Sequence, residues 1–571
     1  MDKNEISIIL EEIGTLLELK GENPFKVRAY YNGARTVEML EEDLNQLIKE
    51  NRLQEVKGVG KALVEKITEL VTTGKLAFYD ELKESTPPGL LEMLRIPGVG
   101  PKKISVLYKD LGIKAVDELE DACLQNRLVS IKGFGEKTQK KILEGIENYK
   151  NYKNQFLIST GLNYGTYIYE QLKELPQVQR ISLAGSIRRF KEVIKDIDLI
   201  VSCEENNIDY IMDYFTNLEG VARVTGRGIT KCSITLDVGM NVDMRIVNDE
   251  AFPNALQHFT GSKEHNTALR HRGKQMGYKI NEYGLFNGEE KVYVGSEEDI
   301  YNILKLQYIP PEIRENNGEI EAAELNDIPK LVDLDLIKGV FHVHSNYSDG
   351  KNTIEELVKA AIDKGFKYIG ISDHSKSAIY AGGLKEQDIV RQHEEINNLR
   401  VKYSNITILK GIESDILLDG SLDYDENTLE SFDYVIGSIH SSFNIDGDLM
   451  TERMLRAIKN KHLKILGHVT GRLLLSRNGY GLDLKKIINA CAENKVAIEI
   501  NSNPHRLDLD WRMCRYAKEQ GVRLVIEPDA HKIEGLDHIF YGIGVARKGW
   551  LEAIDVLNTS DINEVREFFK G

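Results

Sequence analysis

The sequence predicts a multidomain protein with an all-α amino-terminal region, an α+β middle and a carboxy-terminal α/β barrel. Three observations predict this. The first is length, because 571 residues exceed one hydrophobic core and suggest roughly three to five domains. The second is a helix, tight turn and helix that recur: Lys57-Gly58-Val59-Gly60, Pro97-Gly98-Val99-Gly100 and Lys132-Gly133-Phe134-Gly135 each follow a short apolar stretch and open a lysine-bearing helix. The third is a change of periodicity. From about Tyr152 to Pro310 strand-like runs appear, as at Ile181 to Ala184, Asp196 to Ser202 and Ile234 to Val247. Pro310-Pro311 and the acidic and polar stretch Glu312 to Asp327 then read as a loosely structured linker around a short helix. Beyond Ile337, apolar runs (Val340 to Val343, Tyr368 to Ser372, Thr407 to Ile412, Tyr434 to Ile439, Ala497 to Asn501) alternate with helical stretches, the rhythm of an α/β barrel.

Composition narrows the function classes. No apolar run is long enough to span a bilayer and no basic-then-apolar leader opens the chain, so no membrane partner and a cytoplasmic location are expected. Cys123, Cys203, Cys232, Cys491 and Cys514 are scattered and never form a C-x-x-C pair, which speaks against a disulfide framework or a thiolate zinc site. The net charge of −16 does not advertise a nucleic-acid partner. Net charge is a sum over faces, however, and carboxylates gathered at metal sites hide local lysine clusters.

In the glycine hairpins, a G-x-G turn lets backbone N–H groups approach a phosphate closely, and the helix N-terminus adds partial positive charge. Lys61, Lys66, Lys102, Lys103, Lys137, Lys140 and Lys141 lie in the first turns of the following helices. Repetition favours a phosphate grip over plain helix connectors. The element resembles the helix-hairpin-helix motif, which implies sequence-independent DNA-backbone contact at Gly58, Gly60, Gly98, Gly100, Gly133 and Gly135. The first hairpin with the segment Asn23 to Tyr30 resembles the lyase domain of family X DNA polymerases. That likeness implies Lys26 and Tyr30 as contacts to a 5′ phosphate and Lys66 as a Schiff-base lysine; a plain helix-surface lysine is the alternative.

In Asp196-Ile197-Asp198, strand geometry points both carboxylates to one face and Ile197 to the other. Such a pair repels itself unless cations neutralise it, and oxygen ligands of this kind suit Mg²⁺. Gly185-Ser186, Arg188 and Arg189 upstream and Asp243 downstream supply the parts that hold a triphosphate and its metals. The span from Met1 to Pro310 closely resembles family X, DNA polymerase beta-like nucleotidyltransferases. The resemblance implies Asp196, Asp198 and Asp243 as the metal triad, Gly185, Ser186 and Arg189 as triphosphate contacts, and His258, Phe259, Gly261, Asn266 and Arg270 as residues reading the incoming nucleotide and template. Asn241 stands where the family usually holds arginine, which removes one local positive partner of Asp243.

Of the 13 histidines, all but His258, His265 and His271 lie after residue 338. His342-Val343-His344, Asp373-His374, Glu413, His440, His468 and Asp529-Ala530-His531 each follow an apolar run, at the strand ends where α/β barrels build sites. This pattern is similar to the PHP (polymerase and histidinol phosphatase) superfamily. The likeness implies a distorted (β/α)7 barrel with three divalent ions, Mn²⁺, Zn²⁺ or Fe²⁺. The first would take His342, His344, Glu413 and Asp529, the second Glu413, His440 and His468, and the third Asp349, His374 and His531. Metal-activated water would then attack a phosphodiester. His505 and Arg506 stand where they would hold a substrate phosphate or lie in a plain surface loop.

The division expected is a lyase-like domain at 1–85, a second hairpin subdomain at 86–151, a nucleotidyltransferase palm at 152–252, a nucleotide-selecting subdomain at 253–311, a linker at 312–337 and a PHP phosphoesterase at 338–571. The function expected is gap filling in base excision repair by a monomer that uses dNTPs on gapped or nicked DNA, with 3′-5′ exonuclease and AP-endonuclease cleavage from the barrel. The alternatives are a phosphatase or nuclease on a DNA-binding scaffold with a silent polymerase, and a small-molecule phosphatase in the carboxy-terminal half.

Overall fold

The computed structural model describes every residue except Asp2, Met39, Glu41 and Gly571. It divides into two compact units, Met1–Lys153 and Asn154–Gly571. The first is all helical. Its hairpins share one geometry: Gly58, Gly98 and Gly133 take φ of +102°, +81° and +95°, a left-handed turn that favours glycine. The apolar residue that follows is buried each time, and the N–H groups of Val59, Val99 and Phe134 donate to the carbonyls of Val56, Ile96 and Ile131 at 3.1, 3.1 and 3.0 Å. The helices Lys61–Thr73, Pro101–Leu111 and Glu136–Tyr152 then start from Gly60, Gly100 and Gly135, none with a side-chain cap.

In the second unit, β1 (Arg180–Leu183), β2 (Asp196–Ser202), β3 (Val221–Arg227), β4 (Lys231–Leu236) and β5 (Asn241–Val247) form a sheet of order β1-β2-β5-β4-β3. The single run expected from Ile234 to Val247 is two strands, because the chain turns between them at Gly239, whose φ is +84°. β2 and β5 are parallel and in register, Asp198 opposite Asp243. Ile197, Leu199 and Val242 fill the core on the other face. Helices Phe252–Thr260 and Lys263–Gln275 follow, then the small antiparallel sheet β6 (Tyr278–Asn281), β7 (Gly284–Asn287) and β8 (Glu290–Val292).

The segment after Pro311 is not loose. The expected short helix is present at Glu319–Leu325, but Ile313, Arg314, Glu319, Ala323 and Val332 are all buried. Its acids look solvated in sequence, yet several meet a distant partner. Glu312 pairs with Arg547 at 2.7 Å, Glu315 with Lys548 at 2.6 Å and Glu319 with His265 at 2.7 Å.

The barrel strands are β9 (Gly339–Val340), β10 (Tyr368–Ile371), β11 (Thr407–Asp415), β12 (Tyr434–Ser438), β13 (Leu463–Leu466), β14 (Ala497–Asn501) and β15 (Leu524–Glu527), all parallel and neighbouring in chain order. The parallel bridge between Val343 and Ala530 joins the chain beyond β9 to the chain beyond β15 and closes the ring. Aromatic rings pack the interior: Phe341 stacks on Tyr368 at 5.3 Å and Tyr434 on Phe569 of the last helix at 5.2 Å. That packing leaves the C-terminal strand ends as the place for a site.

Candidate metal centres

The first centre lies on β2 and β5. Asp196 and Asp198 share a face because strand side chains alternate, and Asp243 joins them through the parallel register. Burial, then the neighbouring Asp196 and Asp243 charges, push Asp198 up to about 7. Asp196 is also raised, by burial and by Asp243. Crowded carboxylates of this kind fit a divalent cation, which would relieve both effects. Gly185, at φ +61°, packs against them: a Cβ there would lie 2.0 Å from Asp198 Oδ2. The cation missing at Asn241 is supplied from the next strand, where Lys231 Nζ sits 2.6 Å from Asp243 Oδ2; Ser233 Oγ donates to Oδ1 at 2.6 Å. Sequence reading missed Lys231 because only the β4–β5 pairing brings it there.

A cavity of about 330 Å³ opens over this face, lined by Gly185, Ser186, Arg189, Asp196, Asp198, His258, Phe259, Gly261, Lys263, Asn266 and Arg270. Every residue expected for nucleotide contact is thus gathered, together with Lys263, which stood unremarked inside the same motif. Ser186 Oγ is buried without a hydrogen-bond partner. Asn266 is fixed from both ends, donating to His258 O at 2.7 Å and accepting from Gln257 at 2.8 Å. Arg188 points away to Thr260 and Glu297. Arg189 donates to Thr260 O and sits 3.2 Å from Glu315. Glu315 also receives Lys191 at 3.1 Å and Lys548 at 2.6 Å. Lys548, from the barrel helix Ile539–Lys548, is buried and donates to Arg189 O and Glu312 O, both at 3.0 Å.

The second centre is built at the barrel strand ends around Glu413, which is 1% exposed. Its Oε1 lies 3.0 Å from His468 Nε2, 3.3 Å from His440 Nε2 and 3.4 Å from His342 Nε2, and its Oε2 lies 2.8 Å from His374 Nδ1. Asp529 Oδ1 is 3.3 Å from His344 Nε2 and 3.6 Å from His342 Nε2. Asp349 Oδ1 is 3.4 Å from His531 and 3.6 Å from His374. Among the described residues, three groups bring ligand atoms within 4.8 Å: His344, Asp349, His374 and His531; His342, His344 and Asp529; and His374, Glu413 and His440. His344 and His374 therefore each belong to two groups, where the family pattern assigned each to one ion. His468 touches Glu413 without joining a group.

Several features fit bound metals. The Nε2 atoms of His342 and His344, Nδ1 of His374 and Oε2 of Glu413 are buried without a hydrogen-bond partner. Burial, then its neighbours His531 and His374, push His344 down to about 3, leaving a neutral imidazole able to ligate. Behind the imidazoles stand acids that sequence reading did not single out. His342 Nδ1 meets Glu499 at 2.6 Å and His440 Nδ1 meets Asp415, the arrangement that orients a ligating ring. Asn501 donates to Asp529 at 3.0 Å. Asp373 turns away and accepts from Ser345, Ser348 and Gln392. Arg506 Nε reaches to 3.6 Å from Asp529, while His505 is exposed.

In the amino-terminal unit, Lys66, Lys26 and Tyr30 converge on Phe78. Their distances to its ring are 4.6 Å for Lys66 Nζ, 5.9 Å for Lys26 Nζ and 6.3 Å for the Tyr30 ring. Tyr30 is itself buried, and burial raises its phenol to about 12. A Cβ at Gly60, Gly98, Gly100, Gly133 or Gly135 would meet nothing within 4 Å, so these backbones face open space.

Comparison with known proteins gives the class first. The chain matches the families DNA polymerase beta thumb over 255–315, PHP domain over 341–503, Helix-hairpin-helix domain over 1–76 and SAM-like Helix-hairpin-helix tandem over 90–148. The PHP match stops short of Asp529 and His531, which the barrel closure adds. The chain is 40% identical over 575 residues to the DNA polymerase/3′-5′ exonuclease PolX of Bacillus subtilis (strain 168), covering 100% of both chains. A probable phosphatase of Thermoanaerobacter sp. (strain X514) is 29% identical over 243 residues, covering 40% of this chain and 93% of its own. Another from Clostridium acetobutylicum is 28% identical over 200 residues, 33% and 77% of the two chains. The chain belongs to the PolX family, family X DNA polymerases that carry a PHP domain.

Proposed function

We propose that the chain fills short gaps in DNA and trims 3′ ends, within base excision repair in the cytoplasm, as a monomer that uses dNTPs on gapped or nicked duplexes. The observation that carries this is the presence in one unit of two ligand cages of different chemistry, one of aspartates and one mainly of imidazoles. The full-length likeness to a DNA polymerase/3′-5′ exonuclease disfavours a silent polymerase on a scaffold.

Asp196, Asp198 and Asp243 hold Mg²⁺, with Asp243 accepting the proton of the primer 3′-hydroxyl. Gly185, Ser186 and Arg189 hold the triphosphate; Asn266 and Arg270 read base and template. In the barrel, Glu413 with the histidines, Asp349 and Asp529 holds Mn²⁺, Zn²⁺ or Fe²⁺. Bound there, such ions supply Lewis acidity toward a phosphodiester. Lys66, against Phe78, is the group for abasic-sugar lyase chemistry, and cutting beside abasic sites is a second use of the barrel. The hairpin backbones and their lysines grip the strand.

The test is extension and cleavage of gapped, 3′-mismatched and abasic duplexes by the full chain with Mg²⁺ and Mn²⁺. Gap extension and removal of the mismatched nucleotide are expected. Turnover of paranitrophenyl or histidinol phosphate far exceeding oligonucleotide cleavage would overturn the exonuclease reading.

A further inference from the structure

Between Ser375 and Leu384 the chain leaves the barrel and returns, and both feet of this excursion are pinned. Ser375 pairs with Leu384 in a parallel bridge, Leu384 N donates to His374 O at 2.9 Å and Gly383 N to Ala378 O at 3.1 Å. Ser377 donates through N and Oγ to Asp423, both at 2.6 Å, and Lys376 N donates to Tyr424 Oη at 3.2 Å. At the tip, the short 3₁₀ turn Ile379–Ala381 carries Ile379, 86% exposed, and Tyr380, 72% exposed. A mobile loop with two exposed apolar side chains would need no explanation, but a tip held this firmly is a preformed surface.

Its position gives it a use. The Tyr380 ring centroid lies 6.2 Å from that of His374, one of the clustered ligands. Arg506 Nε lies 3.6 Å from Asp529, which adds a cation beside the same cluster. A phosphodiester held between cluster and Arg506 carries a nucleobase one sugar away, and every base has a flat face that stacks on an aromatic ring whatever its identity.

We propose that Tyr380, supported by Ile379, is a stacking platform for the nucleobase that flanks the scissile phosphate, and that it adapts the barrel to unpaired polynucleotide ends. This rests on the exonuclease reading above, and Tyr380 acts as a positioning residue rather than a catalytic one.

The experiment uses single strands with 2-aminopurine at the 3′-terminal or the penultimate position and a non-hydrolysable methylphosphonate as the terminal linkage, bound to the metal-replete full chain so that nothing is cut. Quenching at one of the two positions is expected in the wild type and in Tyr380→Phe, and its loss in Tyr380→Ala. A companion assay measures cleavage of strands with an intact or a base-less residue at the same position. On intact strands Tyr380→Ala should raise KM about tenfold with kcat little changed. On base-less strands wild type and variant should match, because two halves of one contact are not lost twice. Quenching unchanged by Tyr380→Ala, or an equal loss of kcat on base-less strands, overturns the platform. Quenching that depends on Tyr380 in a protein that cuts no strand end would keep the platform and sink the exonuclease reading instead.

Discussion

The two cages solve opposite electrostatic problems. The aspartate cage gathers three carboxylates on one open sheet face; Lys231 answers Asp243, while burial and the neighbouring carboxylates push Asp198 up to about 7 until a further cation arrives. The imidazole cage is buried and mixes charges: neutral or protonated rings surround Glu413 and Asp529, and acids such as Glu499 hold the rings from behind. An open cage of like charges suits a metal that comes and goes with a triphosphate, whereas a buried cage with braced ligands suits a resident one. Lys548 links the two regions, being buried in the barrel helix yet bonded to Glu315 and to the carbonyl of Arg189.

The sharpest way to break the comparison is to empty each cage. Asp196→Ala with Asp198→Ala should reduce primer extension by at least about 10³-fold and spare cleavage, and His342→Ala with His344→Ala should do the reverse. Loss of both activities in either folded, DNA-bound variant would mean that the cages are not independent. A smaller effect tests the bracing. Glu499→Gln keeps its size but cannot hold His342 as an anion, and should lower metal content and cleavage by about 10- to 100-fold while leaving extension alone. Metal analysis beside both activity assays decides it.

Much of both cages was legible in sequence, for different reasons. Asp196-Ile197-Asp198 declares its face through strand alternation alone, and the barrel ligands declare themselves because the same residue types recur after successive apolar runs. What sequence did not reveal depends on pairing between distant segments. Lys231 is an ordinary lysine until β4 lies beside β5, and Glu499 is one buried acid until β14 brings it behind His342. The acids from Glu312 to Glu319 read as a solvated linker because Arg547, Lys548 and His265 lie far away in the chain. Likewise, the sharing of His344 and His374 between groups is a property of ring closure at Val343 and Ala530.

The cages should also differ in how pH governs metal uptake. A ligand must lose its proton to bind, so affinity rises with pH until the last ligand is deprotonated. For the aspartate cage that limit is Asp198, raised to about 7: the Mg²⁺ needed for half-maximal extension should fall about tenfold per unit below pH 7 and level off above it. In the barrel, carboxylate neighbours outweigh burial and hold His531 at about 9 and His440 at about 10. Metal uptake there should keep strengthening past pH 8, although His344, at about 3, contributes nothing to the slope. Titrations of each cage in the other's double variant measure this, and parallel profiles would show that the electrostatic contrast is wrong.

The smallest expected effect probes the link between the regions. Glu315 is shared by Arg189, Lys191 and Lys548. Removing Lys548 would leave that carboxylate to draw harder on Arg189, which lines the cavity over β2 and β5, and would free the Arg189 carbonyl that Lys548 holds. Lys548→Met keeps the buried stem and removes the charge, so packing survives while the electrostatic tie is cut. The expected outcome is a rise of about fivefold in KM for dNTP with kcat little changed, because positioning of the triphosphate and not the chemistry is disturbed. Cleavage by the barrel should be unaffected, since Lys548 touches none of its ligands. Replacing Glu315 with Gln in the same background should restore KM, because Arg189 then has no anion to compete with the triphosphate; failure of that rescue in a folded protein would show that Lys548 acts through packing alone.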